Sequence, residues 1–264
     1  MIPATSPRWR GYLRLSLIIL AVFLVSSCSR SIAQNNYTWA WWTVSPFTPR
    51  GQRNLLFMLR GFMPTLTISF TALLFSIPAG VIVALFAFVP LRGFQWFNRV
   101  YVETVRSIPT LVLILWVYYG LPVSVGLDLN VFSAGVVALA ISDSAFQAEI
   151  FRGGIRSISH SQIEAGLSLG LSPFQVMRLV IMPQAIRRIL PPLGNQLVYM
   201  LKISSLVSMI GFQELTRRAR ELATVEFSPL EIYTALIFMY LVLILGVSGL
   251  VRLMERKLKV NYRD

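Results

Sequence analysis

The chain has 264 residues, 55% of them hydrophobic and 13% charged, and a mean hydropathy of +0.66; a soluble domain of this length is not that apolar, and the composition is that of a polytopic membrane protein. Its 24 Lys and Arg outnumber its 11 Asp and Glu, but they stand beside apolar segments rather than on one patch, so the excess reports membrane topology and not nucleic-acid binding. One Cys and one His rule out a disulfide framework and speak against a structural metal site.

Arg8, Arg10 and Arg14 accompany the apolar run 13–25, which predicts a first membrane helix entering from the cytoplasm. Cys28 follows Leu24, Val25, Ser26 and Ser27, a loose match to the end of a lipoprotein signal peptide. Val25 stands where Leu is usual, and the plainer reading is a first helix with a buried thiol. Residues 29–54, with Trp39, Trp41, Trp42, Pro46 and Pro49, show no helical period and are expected to form an external loop at the outer interface.

The stretch 62–89 predicts the next span, running inward, with Thr65, Thr67, Ser69 and Thr71 on its outer half and two prolines that neighbours must tolerate. A basic loop 91–99 follows, and Glu103 and Arg106 begin an amphipathic lead into the span 108–121. Residues 122–130 make an outer turn, after which 131–150 runs inward. Past a cytoplasmic loop, 184–190 is amphipathic and basic at the inner surface, Pro191 and Pro192 are expected to break it, and 193–210 crosses outward. Residues 212–228 are external, and 230–251 returns to a basic tail with Arg256, Lys257 and Lys259. The expectation is an all-α polytopic membrane protein of six spans with both termini in the cytoplasm, divided at 1–60, 61–252 (including the loop 150–182) and 253–264. Arg217, Arg218 and Arg220 fall on the external side against the positive-inside rule, with Glu214, Glu221 and Glu226 near enough to compensate.

The loop 150–182 reads as helix, turn, helix. Ser159 with Gln162 predicts a capping box, and Ser172, Pro173 and Gln175 predict a second one with Pro at the first helical position. Gly170 falls where the first helix must end in a left-handed residue. The rod 159–169 so defined carries Ile163 and Leu167 one turn apart as a narrow apolar stripe, with Ala165 and Gly166 removing bulk from its surface. Helices below roughly 12 to 15 residues are marginal alone in water. The rod therefore packs on its own chain or fits a groove on another protein.

Polar groups within spans are the candidates for function, since a mid-bilayer charge is rarely idle. Asp143 and Lys202 are the clearest, in two segments that also hold Ser142, Ser144, Gln147, Asn195, Gln196, Ser204, Ser205 and Ser208. Asp143 suits the amino group of a zwitterionic solute, and Lys202 or loosened backbone after Pro191 and Pro192 suits its carboxylate; alternatively Asp143 and Lys202 neutralise each other. Glu149 is placed to brace the loop through Arg152 or Arg156. No phosphate loop exists, because the lysines are Lys202, Lys257 and Lys259 and none follows a Gly. Ser159, His160 and Ser161 are adjacent on a helix start and do not face one another, which excludes a nucleophile and base there. No span holds a His that would activate an intramembrane serine.

The runs Glu149-Ile-Phe-Arg-Gly-Gly-Ile, Gln162-Ile-Glu-Ala-Gly-Leu-Ser-Leu-Gly170, Met182-Pro-Gln-Ala-Ile-Arg-Arg, Pro191-Pro-Leu-Gly-Asn195 and Ser204-Ser-Leu-Val-Ser208 resemble, in this order, the permease subunits of bacterial ABC importers, and most of all the polar amino acid uptake family. The resemblance covers 61–252 and includes Glu103 and Arg106 ahead of Pro109. It implies a five-helix type I permease core with one extra N-terminal transmembrane helix. It also implies that Gln162, Ile163, Glu164, Ala165, Gly166, Leu167 and Gly170 form the coupling helix seated in a cytoplasmic ATPase, with Gly166 where the family often has a second Ala. The implied partners are an ATPase dimer carrying ATP and Mg, a second permease subunit, an extracytoplasmic solute-binding protein, a polar amino acid and membrane lipid. No cofactor is implied on this chain, and the implied location is the bacterial inner membrane. The path candidates are Asp143, Ser144, Gln147, Lys202, Ser204 and Ser205. The family usually has Lys-Asp where this chain has Lys202-Ile203; a lost carboxylate in one half points to an unequal pair with a paralogous permease. A different reading, an ion-coupled carrier or channel without an ATPase, has no use for a capped cytoplasmic rod. A non-transporting scaffold leaves Asp143 and Lys202 without purpose. Which amino acid is carried is not written in these residues.

Overall fold

The computed structural model describes residues 38–257. The expected first span 13–25, Cys28, the first part of the loop 29–54 and the tail 258–264 with Lys259 lie outside the described residues. The chain divides into compact units 1–41 and 42–264. In the described part of the first, the Trp39 and Trp41 rings stack at 5.9 Å.

In the second unit, Thr48 caps α1 (Pro49–Leu59): its Oγ1 accepts from the Gly51 amide at 3.1 Å, and Pro49 opens the helix where its missing N–H is not needed. The expected external loop thus ends inside a helix. Its sequence shows no broad apolar period because α1 carries Arg50, Gln52, Arg53 and Asn54. What holds it is Met58, packed against Ala219, Leu222, Ala223 and Ile232, and Asn54 donating to the Thr43 carbonyl at 2.9 Å.

Gly61 leads into α2 (Phe62–Phe86). A Cβ at Gly61 would lie 2.6 Å from the Leu215 amide nitrogen and 2.8 Å from the Glu214 carbonyl carbon, so no larger residue fits there without moving backbone. Thr65, Thr67, Ser69 and Thr71 each donate to the carbonyl four residues back at 2.7 or 2.8 Å; an apolar span carries hydroxyls in this way, satisfied within its own helix.

α3 (Arg92–Ser107) turns by 96° into α4 (Thr110–Val125) across Ile108 and Pro109. Ile108 is extended, as a residue before proline prefers. Asn98 ties α3 to the end of α2 by donating to the Val83 carbonyl at 2.7 Å. α4 runs past the expected end at 121, through a π turn at Trp116–Gly120, and stops at Gly126 with φ 69. α5 (Val131–Arg156), capped by Asn130 accepting from the Ser133 amide at 2.8 Å, is the central helix. Its Ala134, Ala138, Ala145 and Ala148 are buried, small residues that let neighbouring helices come close.

α6 (His160–Ser168) follows, then a turn Pro173–Val176 and a π segment Met177–Ile181 that pass directly into α7 (Met182–Ile203) and a 3-10 extension, Ser204–Ile210. Pro191 and Pro192 do not break α7, contrary to expectation. Packing of Ile189, Met200 and Leu201 holds the helix through both prolines, as neighbouring helices do in membrane spans although an interior proline costs about 3 kcal/mol. The backbone change comes later, in the 3-10 segment that ends at Gly211 with φ 97. The external stretch 212–228 is largely helix, α8 (Leu215–Glu226), and α9 (Pro229–Lys257) completes the described chain.

Among the described residues, α2, α5 and α9 are long and apolar enough to cross a membrane, and α3 with α4 passes the same test only when the two bent helices are taken together. α7 has the length, its 22 residues rising about 33 Å, but Arg187, Arg188, Asn195, Gln196 and Lys202 keep its hydropathy below that of these helices. The core gathers around α5, where Ile68, Ala72, Ile114, Val117, Leu139, Met200 and Val207 form one cluster. Ile237, Phe238, Val242 and Leu245 of α9 remain exposed, an apolar face suited to lipid.

Candidate coupling and translocation sites

Two groups of residues stand apart from simple packing, the α6 hairpin and a buried polar cluster on α5. At the hairpin, the Ser159 hydroxyl meets that of Ser161 at 3.1 Å and makes no cap bond, so the expected box with Gln162 is absent. The second box is present: Ser172 Oγ accepts from the Gln175 amide at 3.3 Å while Gln175 Oε1 accepts from the Ser172 amide at 2.8 Å. At the end of α6, Gly170 has φ 78; the Leu171 amide donates to the Gly166 carbonyl and the Gly170 amide to that of Leu167. This is the Schellman closure that glycine permits.

The apolar stripe expected of Ile163 and Leu167 divides. Ile163 is half-buried against the cluster of Ile158, Val176, Ile181, Ala185 and Ile189, whereas Leu167 is 46% exposed. Gly166 is buried, and a Cβ there would lie 3.0 Å from Val176 Cγ2. Its smallness therefore seats α6 on its own chain rather than thinning the outer surface, because Gly166 and Ile163 share the inward face. Turned outward are Gln162, Glu164, Ala165, Leu167 and Leu169, with Phe174 beside them at 73% exposure. His160 pairs with Glu164 at 3.2 Å across this solvated side.

The two helices that flank the hairpin, α5 and α7, are fastened to each other. Glu149 accepts from Arg152, with Nε at 3.0 Å; Arg156 instead lies over the Phe88 ring at 5.9 Å. Arg188 donates to the Ser157 carbonyl at the end of α5. Gly154 admits the Ile189 side chain, since a Cβ there would sit 2.2 Å from it.

Asp143, 1% exposed, is the hub of the second group. Its carboxylate accepts from Ser76 on α2, from Gln147 on α5 at 3.0 Å and from Gln196 on α7. One side chain thus joins three spans. Lys202 is exposed and makes no ion pair with Asp143, so the two do not neutralise each other; it lies six residues beyond Gln196, about 9 Å along the helix axis. Ser144 leaves the hub to meet the Tyr101 hydroxyl at 2.7 Å. Ser204 and Ser205 donate to the carbonyls of Leu201 and Lys202 in their own helix. The hub's partner on α2, Ser76, was not singled out from the sequence; a lone serine between Phe75 and Ile77 is a weak signal. The Gln147 Oε1 is buried without a hydrogen-bond partner. No group of three or more His, Cys, Asp or Glu that could hold a metal occurs among the described residues.

On the far side of the bundle, Glu214 caps α8, accepting from the amides of Arg217 at 2.7 Å and Thr216 at 2.9 Å and from the Tyr240 hydroxyl at 2.9 Å. Burial pushes this carboxyl above its ordinary value, against the lowering effect of the amide donors. The three arginines that strained the topology have local occupations: Arg217 pairs with Glu221 at 2.9 Å, Arg218 lies over Phe57 at 5.0 Å, and Arg220 reaches Met209 Sδ.

A bundle of apolar helices carrying a helical hairpin with an exposed face is matched by a family model. Residues 76–260 match the binding-protein-dependent transport system inner membrane component. The chain belongs to this family. It is a multi-pass inner-membrane permease subunit of an ABC importer. A probable glutamine ABC transporter permease of Bacillus subtilis is 38% identical over 209 residues, 79% of this chain and 96% of that protein. An arginine transport system permease of the same organism is 34% identical over 207 residues, 78% and 94% of the two chains. The structure of an amino acid ABC transporter with histidines superposes with a TM-score of 0.76 at 36% identity, covering 84% of this chain and all of that one. The methionine ABC transporter MetNI shares the fold at 21% identity and a TM-score of 0.66.

Proposed function

We propose that the chain is the permease subunit of an ATP-driven importer of polar amino acids, with α6 as the coupling helix that seats in an ATPase. The observation that carries this is the outward face of α6: Glu164, Ala165 and Leu167 are exposed while Gly166 and Ile163 anchor the helix from behind. The substrate class is supported by relatives named for glutamine and arginine and by the amino acid transporter structure. The α6 side is cytoplasmic, with both termini there, and ATP and Mg belong to two ATPase subunits, because this chain has no phosphate loop. A solute-binding protein delivers solute from outside.

Movement follows from the anchorage. α6 is held through Ile163 in the apolar cluster that includes Ile158 beyond α5 and Ala185 and Ile189 of α7, and α5 and α7 are joined to each other by Arg188 and Ser157, so closure of the ATPases transmits force to both spans. The Asp143 hub holds α2, α5 and α7 together in the present arrangement; separation of those spans frees Asp143 and Gln147 for the solute's amino group, while Lys202, Ser144, Ser204 and Ser205 serve the path. Glu149, Arg152 and Arg156 brace the hairpin. A paralogous second permease completes the pair: Ile203 packs against the apolar cluster where the family carries a carboxylate, so this half offers one charge fewer.

Copurification tests the reading. With residues 159–170 replaced by a Gly-Ser segment, the chain still inserts but no longer retains an ATPase that the intact chain retains; continued retention contradicts the assignment. Full transport from a complex with one permease species contradicts the unequal pair.

A further inference from the structure

Where the end of α5 meets α3, a cavity of about 340 Å³ is lined by Arg99, Arg106, Arg152 and Arg156 together with Glu103 and Glu149. Of the four guanidiniums only Arg152 pairs with a carboxylate among the described residues. Arg106 lies over the Phe146 ring at 5.1 Å and Arg156 over Phe88, both on aromatic faces that leave N–H donors available. Arg99 is exposed and makes no hydrogen bond or ion pair among the described residues. The lining is net positive and rich in fork-shaped donors, which is the chemistry of a phosphate group.

A second observation concerns what borders it. α3 runs at 96° to α4 and exposes Val100 and Trp96, the last at 66%. Arg92, Arg99 and Arg106 recur every seven residues and form one stripe along α3, with Trp96 and Val100 bordering it. A helix turned across a span with an exposed Trp beside a row of arginines has the make-up of an element lying in the headgroup plane.

We propose that this cavity binds the phosphate of an anionic phospholipid headgroup, with the Trp96 side of α3 in the acyl boundary. The proposal rests on the reading above that the α6 side is cytoplasmic, since basic pockets between spans on that side meet anionic headgroups. A free anion has the same charge but gains nothing from the apolar face.

The test uses the full chain, with or without its partners, in nanodiscs of phosphatidylcholine with or without phosphatidylglycerol, and native mass spectrometry of the lipid retained. The wild type keeps phosphatidylglycerol; Arg99→Gln weakens retention about fivefold, while Arg99→Lys keeps most of it. Because no contact of the fold runs through Arg99, the protein folds equally in each case, as its thermal unfolding will register. Equal retention by the wild type and an Arg99→Gln/Arg156→Gln double variant overturns the proposal. So does displacement of the lipid by inorganic phosphate at concentrations that merely match it. Lipid retention is read without transport or ATPase, so its failure is distinct from failure of the importer reading.

Discussion

Asp143 shows how a single buried charge is accommodated in an apolar bundle. Three side-chain donors from three helices replace the water it gives up; removing it leaves the Gln147 and Gln196 amides without this acceptor at about 1 to 3 kcal/mol each, while the Ser76 hydroxyl still reaches the Leu73 carbonyl at 3.1 Å. Asp143→Ala should therefore lower the unfolding temperature of the detergent-purified protein clearly, and exposed Lys202→Ala hardly at all; equal effects would mean that the hub does not hold the spans together. The sequence identifies Asp143 by its rarity in a span and leaves open whether Lys202 pairs with it, because spacing along two helices does not say which turn of one faces which turn of the other. Gln196 and Ser76 are uncharged and leave no comparable mark. Glu214 carries a pH dependence of the opposite sign to that of an ordinary ion-paired carboxylate. Its value in the folded chain lies above the ordinary one, so its contribution to stability is fully present below the ordinary carboxylate range and is lost as pH rises through the raised value. Unfolding temperature should fall over that window in the wild type and change less in Glu214→Gln; parallel profiles would remove Glu214 as the cause.

At the scale of elements, α6 is legible at its end and misleading on its faces. Gly170 marks the stop because only a residue without a Cβ takes φ 78 at no expense; Gly170→Ala should destabilise the hairpin by about 1 kcal/mol, seen as faster amide exchange confined to 160–176. Exchange unchanged from the wild type would mean that the glycine is not needed there. The faces require the third dimension, since Ile163 and Leu167 are equally apolar and only the position of Val176 decides which of them is covered. Gly166→Leu and Ala165→Leu separate the two roles. The first pushes α6 off Val176 and should lower stability, whereas the second leaves the fold intact and should block retention of the ATPase. At Pro191 and Pro192 the helix continues where the sequence predicts a break, because a proline signal is local while the contacts that hold α7, such as Ile189 against Gly154, come from residues far along the chain. α1 escaped notice for the converse reason, a polar helix stabilised by one packed face and a Thr48 cap.

For the whole molecule, hydropathy gives the all-helical membrane class and the long apolar helices α2, α5 and α9, since each span must satisfy its own backbone in lipid. The same signals say nothing of which polar residues meet across the bundle. The claim that joins the two scales is that force from an ATPase enters at α6 and moves α5 and α7 about the Asp143 hub. Uptake of a labelled polar amino acid into proteoliposomes holding the purified complex measures this directly. The account predicts uptake only with internal ATP and the external binding protein present, and none when 159–170 is replaced. Uptake by the permease alone, driven by an ion gradient with no ATPase present, would contradict it.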